Sequence, residues 1–237
     1  RIGEARRALE FLDFAGFIQS FIFVNRRLQA PADYALVARR LFARLREQNV
    51  TYAEVILSAG VVLWKQQDFD AIFRALVEEV NLAAPALTIA WNLDAVRQFP
   101  PEQAMAVVEL AAARIDAGAL SFGLGGDEQR GAAKDFFAVF AAARSKGLRL
   151  TCHAGETAGP ESIWQALECG AERIGHGVRA IDDPVLVRHL ADQQIPLEVS
   201  ITSNLRTGAV SPLAAHPVRH LHDAGVPIVL NTDDPGM

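Results

Sequence analysis

The sequence predicts an α/β fold in which a parallel sheet curls toward a TIM (β/α)₈ barrel, and three observations point there. Short apolar runs alternate with longer amphipathic ones along the chain, several helical stretches open on Pro and are followed by Gly, and polar residues and glycines gather just after the apolar runs. Strands buried on both faces read as near-continuous apolar runs, because helices must cover them. The 237 residues lie close to the ~250 of such a barrel. An open doubly wound sheet is the alternative arrangement of the same elements.

Taken in order, the helical pattern Ala32–Gln48 leads to a strand at Thr51–Leu57, rich in β-branched and aromatic residues. Phe69–Asn81 precedes the strand Ala86–Asn92, and Pro101–Ala117 leads through Gly118 into Ala119–Leu124. Lys134–Ser145 leads through Gly147 into Leu148–His153, and Glu161–Glu168 through Gly170 into Glu172–His176. Pro184–Asp192 then precedes Pro196–Ser200, and His216–Ala224 passes through Gly225 into Val226–Asn231. An eighth strand would close the barrel. The chain opens on charged residues and closes on Asn-Thr-Asp-Asp-Pro-Gly-Met, so both ends read as cut from a longer chain. With no low-complexity segment or linker, residues 1–237 read as a single barrel domain truncated at both ends.

Composition excludes several classes of function. Lys plus Arg number 23 against 28 Asp plus Glu, a formal charge of -5 with no basic stripe to hold a phosphate backbone, so no nucleic acid is expected. No apolar run reaches a membrane span of ~18 residues, and Arg1-Ile2-Gly3-Glu4 does not read as a signal peptide. Cys152 and Cys169 sit in no CxxC and are too few for a disulfide framework, which suits a cytoplasmic protein.

The polar residues carry the chemistry. Ser58, Trp91 and Asn92, Gly125-Gly126-Asp127-Glu128, His153 to Glu156, His176, Ser200 to Asn204 and Asn231 to Asp234 follow or end successive strands. In a parallel barrel all strand C-termini share one face, so these scattered residues converge on one mouth. Taken singly, each has an ordinary structural reading as a turn, cap or loop residue; their recurrence at the same end of successive strands does not. His153 and Asp233 are candidate ligands for Zn²⁺ or another divalent metal. His176 would stabilise charge beside the attacking water, Glu156 would act as general acid, and Asp234 would hold the substrate. Two protein ligands are fewer than the usual three, and the missing strand is the natural place for more.

HAGE at His153 to Glu156, RIGHGV at Arg173 to Val178, GGDE at Gly125 to Glu128, TSN at Thr202 to Asn204 and LNTDDP at Leu230 to Pro235 together resemble the adenosine deaminase family of the amidohydrolase superfamily. The resemblance runs along essentially the whole chain. It implies a (β/α)₈ barrel of the metal-dependent hydrolase type with one Zn²⁺ per chain, removing the 6-amino group of an adenine ring as ammonia. By position, His153 and Asp233 match metal ligands, Glu156 the proton donor to purine N1, and His176 the residue that orients the metal-bound hydroxide. Asp234 matches the contact to N7, and Gly126 the backbone contact to N3.

Three departures stand out. The family's first strand carries a His-x-His pair, absent here, so two further His ligands are expected on a strand missing from this sequence. The last strand ends without its covering C-terminal helices. Val199 to Asn204 replaces the Cys-Pro that more often precedes Ser-Asn, which bears on substrate choice. The expected partners are water and a small-molecule purine nucleoside, with adenosine or 2'-deoxyadenosine first and 6-aminodeoxyfutalosine or free adenine as alternatives. Phe11, Phe14, Phe17, Phe21 and Phe23 read as helix packing rather than a substrate wall. The zinc deaminases built on HxE and PCxxC are set aside. A metal hydrolase cleaving an amide or ester, and a non-catalytic binding protein retaining the fold, are the competing readings.

Overall fold

Register between neighbouring strands fixes the architecture. The computed structural model describes residues 9–234; Arg1 to Glu4 and Pro235 of the last motif lie outside the described residues. Strands β1 (Tyr52–Leu57), β2 (Thr88–Val96), β3 (Ala119–Gly125), β4 (Arg149–Ala154), β5 (Arg173–His176), β6 (Leu197–Val199) and β7 (Ile228–Leu230) pair in sequence order, every pair parallel. Helices α1 (Phe14–Asn25) and α2 (Pro31–Glu47) precede β1, while α3 (Ala59–Trp64) and α4 (Phe69–Ala83) connect it to β2. The later crossovers use α5 (Pro101–Ala112), α6 (Phe137–Ser145), α7 (Pro160–Glu168), α8 (Pro184–Asp192), and the pair α9 (Ile201–Arg206) and α10 (Val218–Asp223).

The sheet is curled. Arg173 on β5 forms an ion pair with Glu54 on β1, and its Nε lies 3.2 Å from Glu198 on β6. In a flat sheet β1 and β5 would stand about 19 Å apart at ~4.8 Å per strand, beyond the reach of any side-chain pair. A doubly wound open sheet is thereby excluded, and the result is a barrel wall of seven strands. No eighth strand closes it among the described residues.

Alternation along the strands sorts the side chains. Trp91, Leu93 and Ala95 on β2 are buried toward the helices, with the Trp91 ring 6.3 Å from Phe42 on α2 and 6.1 Å from Phe73 on α4. Phe69, Ile72, Phe73 and Leu76 give α4 an apolar stripe at helical spacing, and the Asp68 side chain caps it by accepting from the Ala71 backbone N–H at 3.0 Å. Losing such a cap costs about 1 kcal/mol. The opposite faces of the same strands are polar, with Asn92, Asp94, Ser121 and Thr151 buried inside the curl.

Several sequence-based boundaries need correction. The second strand runs to Val96 because β3 keeps pairing with it as far as Val96 opposite Gly125, so Trp91 and Asn92 lie mid-strand and not at a tip. The helix at Pro101 stops at Ala112, and Ile115–Ala117 forms a 3-10 turn closed by Gly118 in the left-handed region. Lys134 falls in a 3-10 turn before α6, and the last helix begins at Val218, after Pro217. The TSN segment, read as a loop, is the helix α9. The early phenylalanines do lie on or beside a helix, half-buried, with Phe17 5.5 Å from Phe11 and 6.2 Å from both Phe14 and Phe21.

Candidate active site

Two inward-facing glycine positions open space for polar neighbours. A Cβ on Gly123 would stand 2.5 Å from Asp94 Oδ1 and 2.8 Å from Asn92 Oδ1, and one on Gly175 would meet the His153 ring at 3.3 Å. β3 and β5 therefore lack side chains where β2 and β4 put carboxylate, amide and imidazole. Asn92 Nδ2 donates to Thr151 Oγ1 at 2.9 Å, whereas Asn92 Oδ1 and Asp94 Oδ1 are buried with no partner. Burial pushes the Asp94 carboxyl up to about 6, against the opposing pull of His153 and Arg97.

The turn after β4 is held by Glu128. One of its oxygens accepts from the backbone N–H of Glu156 at 2.8 Å and of Thr157 at 2.9 Å; the other accepts from Gly155 N–H at 2.7 Å and from the Ser162 hydroxyl. Burial alone would raise the Glu128 carboxyl, but Ser162, these backbone donors and Arg97 outweigh it and hold it below the usual range. Arg97 donates to the carbonyl of His153, to that of Gly131 at 3.1 Å and to that of Gly125 at 3.3 Å, fixing the other side of the turn. The GGDE motif and the HAGE motif are thus one structural unit.

His176 and Asp233 depart from strand geometry. Alternation would send His176, one residue beyond inward Gly175, toward the helices; a left-handed backbone with φ of 62° brings its ring to 5.4 Å from that of His153. Asp233 is also left-handed, with φ of 58°. For residues with a Cβ this conformation costs ~1–2 kcal/mol each, and strain of this kind concentrates at functional sites.

The candidate side chains converge. His176 Nε2 lies 3.5 Å from Glu156 Oε2 and 3.8 Å from Asp233 Oδ2, and the Ser203 hydroxyl donates to Asp233 Oδ2 at 2.7 Å. Burial lifts the Glu156 carboxyl above the ordinary range; His176 pulls against this, and Asp233 adds to it. Burial would lower the His176 imidazole, but Glu156 and Asp233 overcome it and raise it. Thr207 Oγ1 sits 2.9 Å from the Ser203 carbonyl and 3.3 Å from Glu156 Oε1. The one hydroxyl proton of Thr207 can be donated to either of these oxygens.

Donor atoms of His153, His176 and Asp233 all lie within 4.8 Å of one another. Imidazole nitrogen and carboxylate oxygen at this separation fit a divalent metal such as Zn²⁺, and the unpartnered acceptors of Asp94 and Asn92 leave the inside of the curl favourable to a cation. Gly126 directly follows β3 with φ of 97°, its open side filled by Gln98, whose Oε1 a Cβ would meet at 2.2 Å. Asp234 is half-buried next to Asp233.

The family model described as adenosine deaminase matches residues 4–237. The chain belongs to the adenosine deaminase family. It is 38% identical over 233 residues to the aminodeoxyfutalosine deaminase of Streptomyces coelicolor, covering 96% of this chain and 60% of that protein. It is 35% identical over 226 residues to the adenine deaminase of Agrobacterium fabrum, covering 94% of this chain and 70% of that one. Among solved structures, the adenine deaminase of Arthrobacter aurescens superposes with a TM-score of 0.93 at 26% identity, over 99% of this chain and 72% of that one. An amidohydrolase from Burkholderia ambifaria with bound Zn superposes with a TM-score of 0.81 at 26% identity, over 88% and 60%. The chain spans 60% and 65% of the lengths of the two Streptomyces relatives it matches.

Sequence reasoning missed Arg97, Asp94, Thr207 and His216 as parts of this site, and placed Glu128 and Asn204 at the mouth without giving either a role. Glu128 stood inside a quoted motif, but its partners are 27 to 34 residues away and only the fold reveals them. Asp94 was hidden by the misplaced end of β2. No helix among the described residues is long and apolar enough to cross a membrane, and both cysteines are free and buried.

Proposed function

We propose that this site hydrolyses the exocyclic amine from a 6-aminopurine, with 6-aminodeoxyfutalosine the first substrate and free adenine the second. The observation that carries the reaction is the triangle formed by buried Glu156 and His176 with the more open Asp233. A carboxyl whose pKa is raised by burial holds its proton more readily than an exposed one and can deliver it. When water adds to C6, the electron pair of the C=N bond moves onto N1, Glu156 supplies the proton there, and the first water proton returns to the Glu156 carboxylate. The second water proton passes to the leaving amine; the C6–N bond breaks, ammonia leaves and a carbonyl remains. His176 stabilises the oxygen as it acquires charge, beside Asp233. Asp234 and the Gly126 backbone hold the purine edge. A divalent metal on His153 and Asp233, Zn²⁺ by its donor chemistry, would supply the Lewis acidity that brings the pKa of water toward ~7.

Substrate rank follows the relatives. The Streptomyces proteins at 38% and 39% identity carry the name aminodeoxyfutalosine deaminase, and the Agrobacterium protein at 35% the name adenine deaminase. Adenosine, placed first as the activity the family resemblance implies, falls behind both. The resemblance in fold to the Arthrobacter adenine deaminase favours adenine as the second reading. Steady-state turnover of the three purines by the full-length protein, followed by loss of the adenine absorbance, tests the ranking. The highest kcat/KM on 6-aminodeoxyfutalosine is expected; bound metal with no turnover of any 6-aminopurine would overturn the reaction.

A further inference from the structure

We infer that Asn204 and His216 are positioning residues that fix the tautomer of His176, so that its Nε2 carries the hydrogen and faces the carboxylates. Four groups form one chain. The backbone N–H of Val218 donates to His216 Nδ1 at 3.2 Å. His216 Nε2 lies 3.2 Å from Asn204 Oδ1, and Asn204 Nδ2 lies 3.0 Å from His176 Nδ1.

Direction in this chain follows from its first member. A backbone N–H can only donate, so His216 Nδ1 must be the bare nitrogen and the ring's hydrogen sits on Nε2. That hydrogen requires an acceptor, which places the carbonyl oxygen of Asn204 toward His216 and the amide NH₂ toward His176. His176 Nδ1 must then accept, leaving its hydrogen on Nε2. Turning the Asn204 amide over would set its NH₂ against the Nε2–H of His216, donor against donor. Burial closes other routes, because His176, Asn204 and His216 are 3%, 0% and 6% exposed and water cannot replace a wrongly oriented partner. The far end agrees: Nε2 of His176 faces two acceptors, Glu156 Oε2 and Asp233 Oδ2.

The tautomer separates the roles of the clustered donors. With Nδ1 taken by Asn204 and Nε2 bearing hydrogen, His176 has no lone pair for a metal. It is then a hydrogen-bond donor toward the reacting oxygen, while His153 and Asp233 remain the ligands. Use in catalysis rests on the proposed deamination; the hydrogen-bond chain does not.

The test is long-range ¹H–¹⁵N NMR of histidine-labelled full-length protein at a pH where His176 is neutral, its signals assigned by their loss in His176→Gln. Wild type is expected to show hydrogen on Nε2. In Asn204→Asp the carboxylate can only accept, so the hydrogen is expected on Nδ1 or on both nitrogens, with kcat reduced about tenfold or more and KM changed less. His216→Gln keeps an N–H donor toward Asn204 and should retain the wild-type pattern, whereas His216→Phe should lose it. Hydrogen on Nδ1 in the wild type, or an unchanged pattern in Asn204→Asp, would overturn the assignment. A wild-type protein that shows Nε2–H but deaminates no purine would sink the proposed reaction and leave the tautomer standing.

Discussion

Replacing Glu128 by Gln separates the geometry of the turn from its chemistry, because Glu128 touches no candidate reacting atom. The two oxygens of Glu128 accept from three backbone N–H groups and one hydroxyl. In Glu128→Gln the retained carbonyl oxygen can still face Glu156 and Thr157, but those two bonds lose their charge assistance, worth about 1 kcal/mol each. The new NH₂ confronts the Gly155 N–H, donor against donor, and forfeits a further ~1–2 kcal/mol, softened because Gly155 N–H also donates to Ser162 Oγ at 2.9 Å. The total is about 3–4 kcal/mol. At ~2–4 °C per kcal/mol for a domain of this size, Tm should fall by about 6–16 °C. Because the same turn carries Glu156, a displacement of its carboxyl by ~1 Å would cost about 10² in kcat. Calorimetric unfolding of the full-length protein and purine turnover at a temperature where both forms are folded provide the assay. A Tm within about 2 °C of wild type together with unchanged kcat would refute the claim that Glu128 holds the turn.

The remaining predictions use the same assays. Glu128 is held below its ordinary carboxylate pKa, so its contribution to stability is full above the unfolded value of 4.5 and is lost as pH falls through the folded value. The Tm gap between wild type and Glu128→Gln should therefore be widest near neutrality and close in acid; a gap that widens in acid would contradict the sign. Glu156→Gln should keep bound metal near the wild-type level while deamination drops by ~10² or more, and a matching loss of metal would remove the general-acid role. Asp233→Ala should strip the metal, whereas Asp234→Asn should retain it and raise KM for the purine; equal metal content in the two would contradict the division of roles. Gly123→Ala places a Cβ 2.5 Å from Asp94 Oδ1 and should destabilise by about 1–3 kcal/mol, checked by denaturant unfolding, where a neutral effect would mean that Asp94 moves freely.

Much of the fold could be read because its signals are local. Apolar runs, Pro openings and Gly stops depend on nearest neighbours, and seven strands emerged within a few residues of their places. The end of β2 escaped because Asn92 and Asp94 look like tip residues, yet glycines on the adjacent β3 make room for them inside the curl. α9 escaped because Thr202-Ser203-Asn204 favours loops by propensity, while its buried Ser203 and Asn204 are held by Asp233 and His176. In the site, His153, Glu156, His176 and Asp233 were legible as strand-end residues, and the structure brings them together. Their supports were not legible, since Glu128, Asn204 and His216 act through partners that become neighbours only when strands β3 to β7 align. The left-handed backbone that swings His176 into the mouth has no sequence signal beyond its flanking glycines.

The measurement that tests the central claim most directly is elemental analysis of the purified full-length protein, paired with turnover of 6-aminodeoxyfutalosine, adenine and adenosine in the same preparation. About one Zn²⁺ per chain, lost in Asp233→Ala, with ammonia released from a 6-aminopurine, is the predicted result. Protein that binds no divalent metal, or that holds it and releases no ammonia from any of the three, would contradict the account.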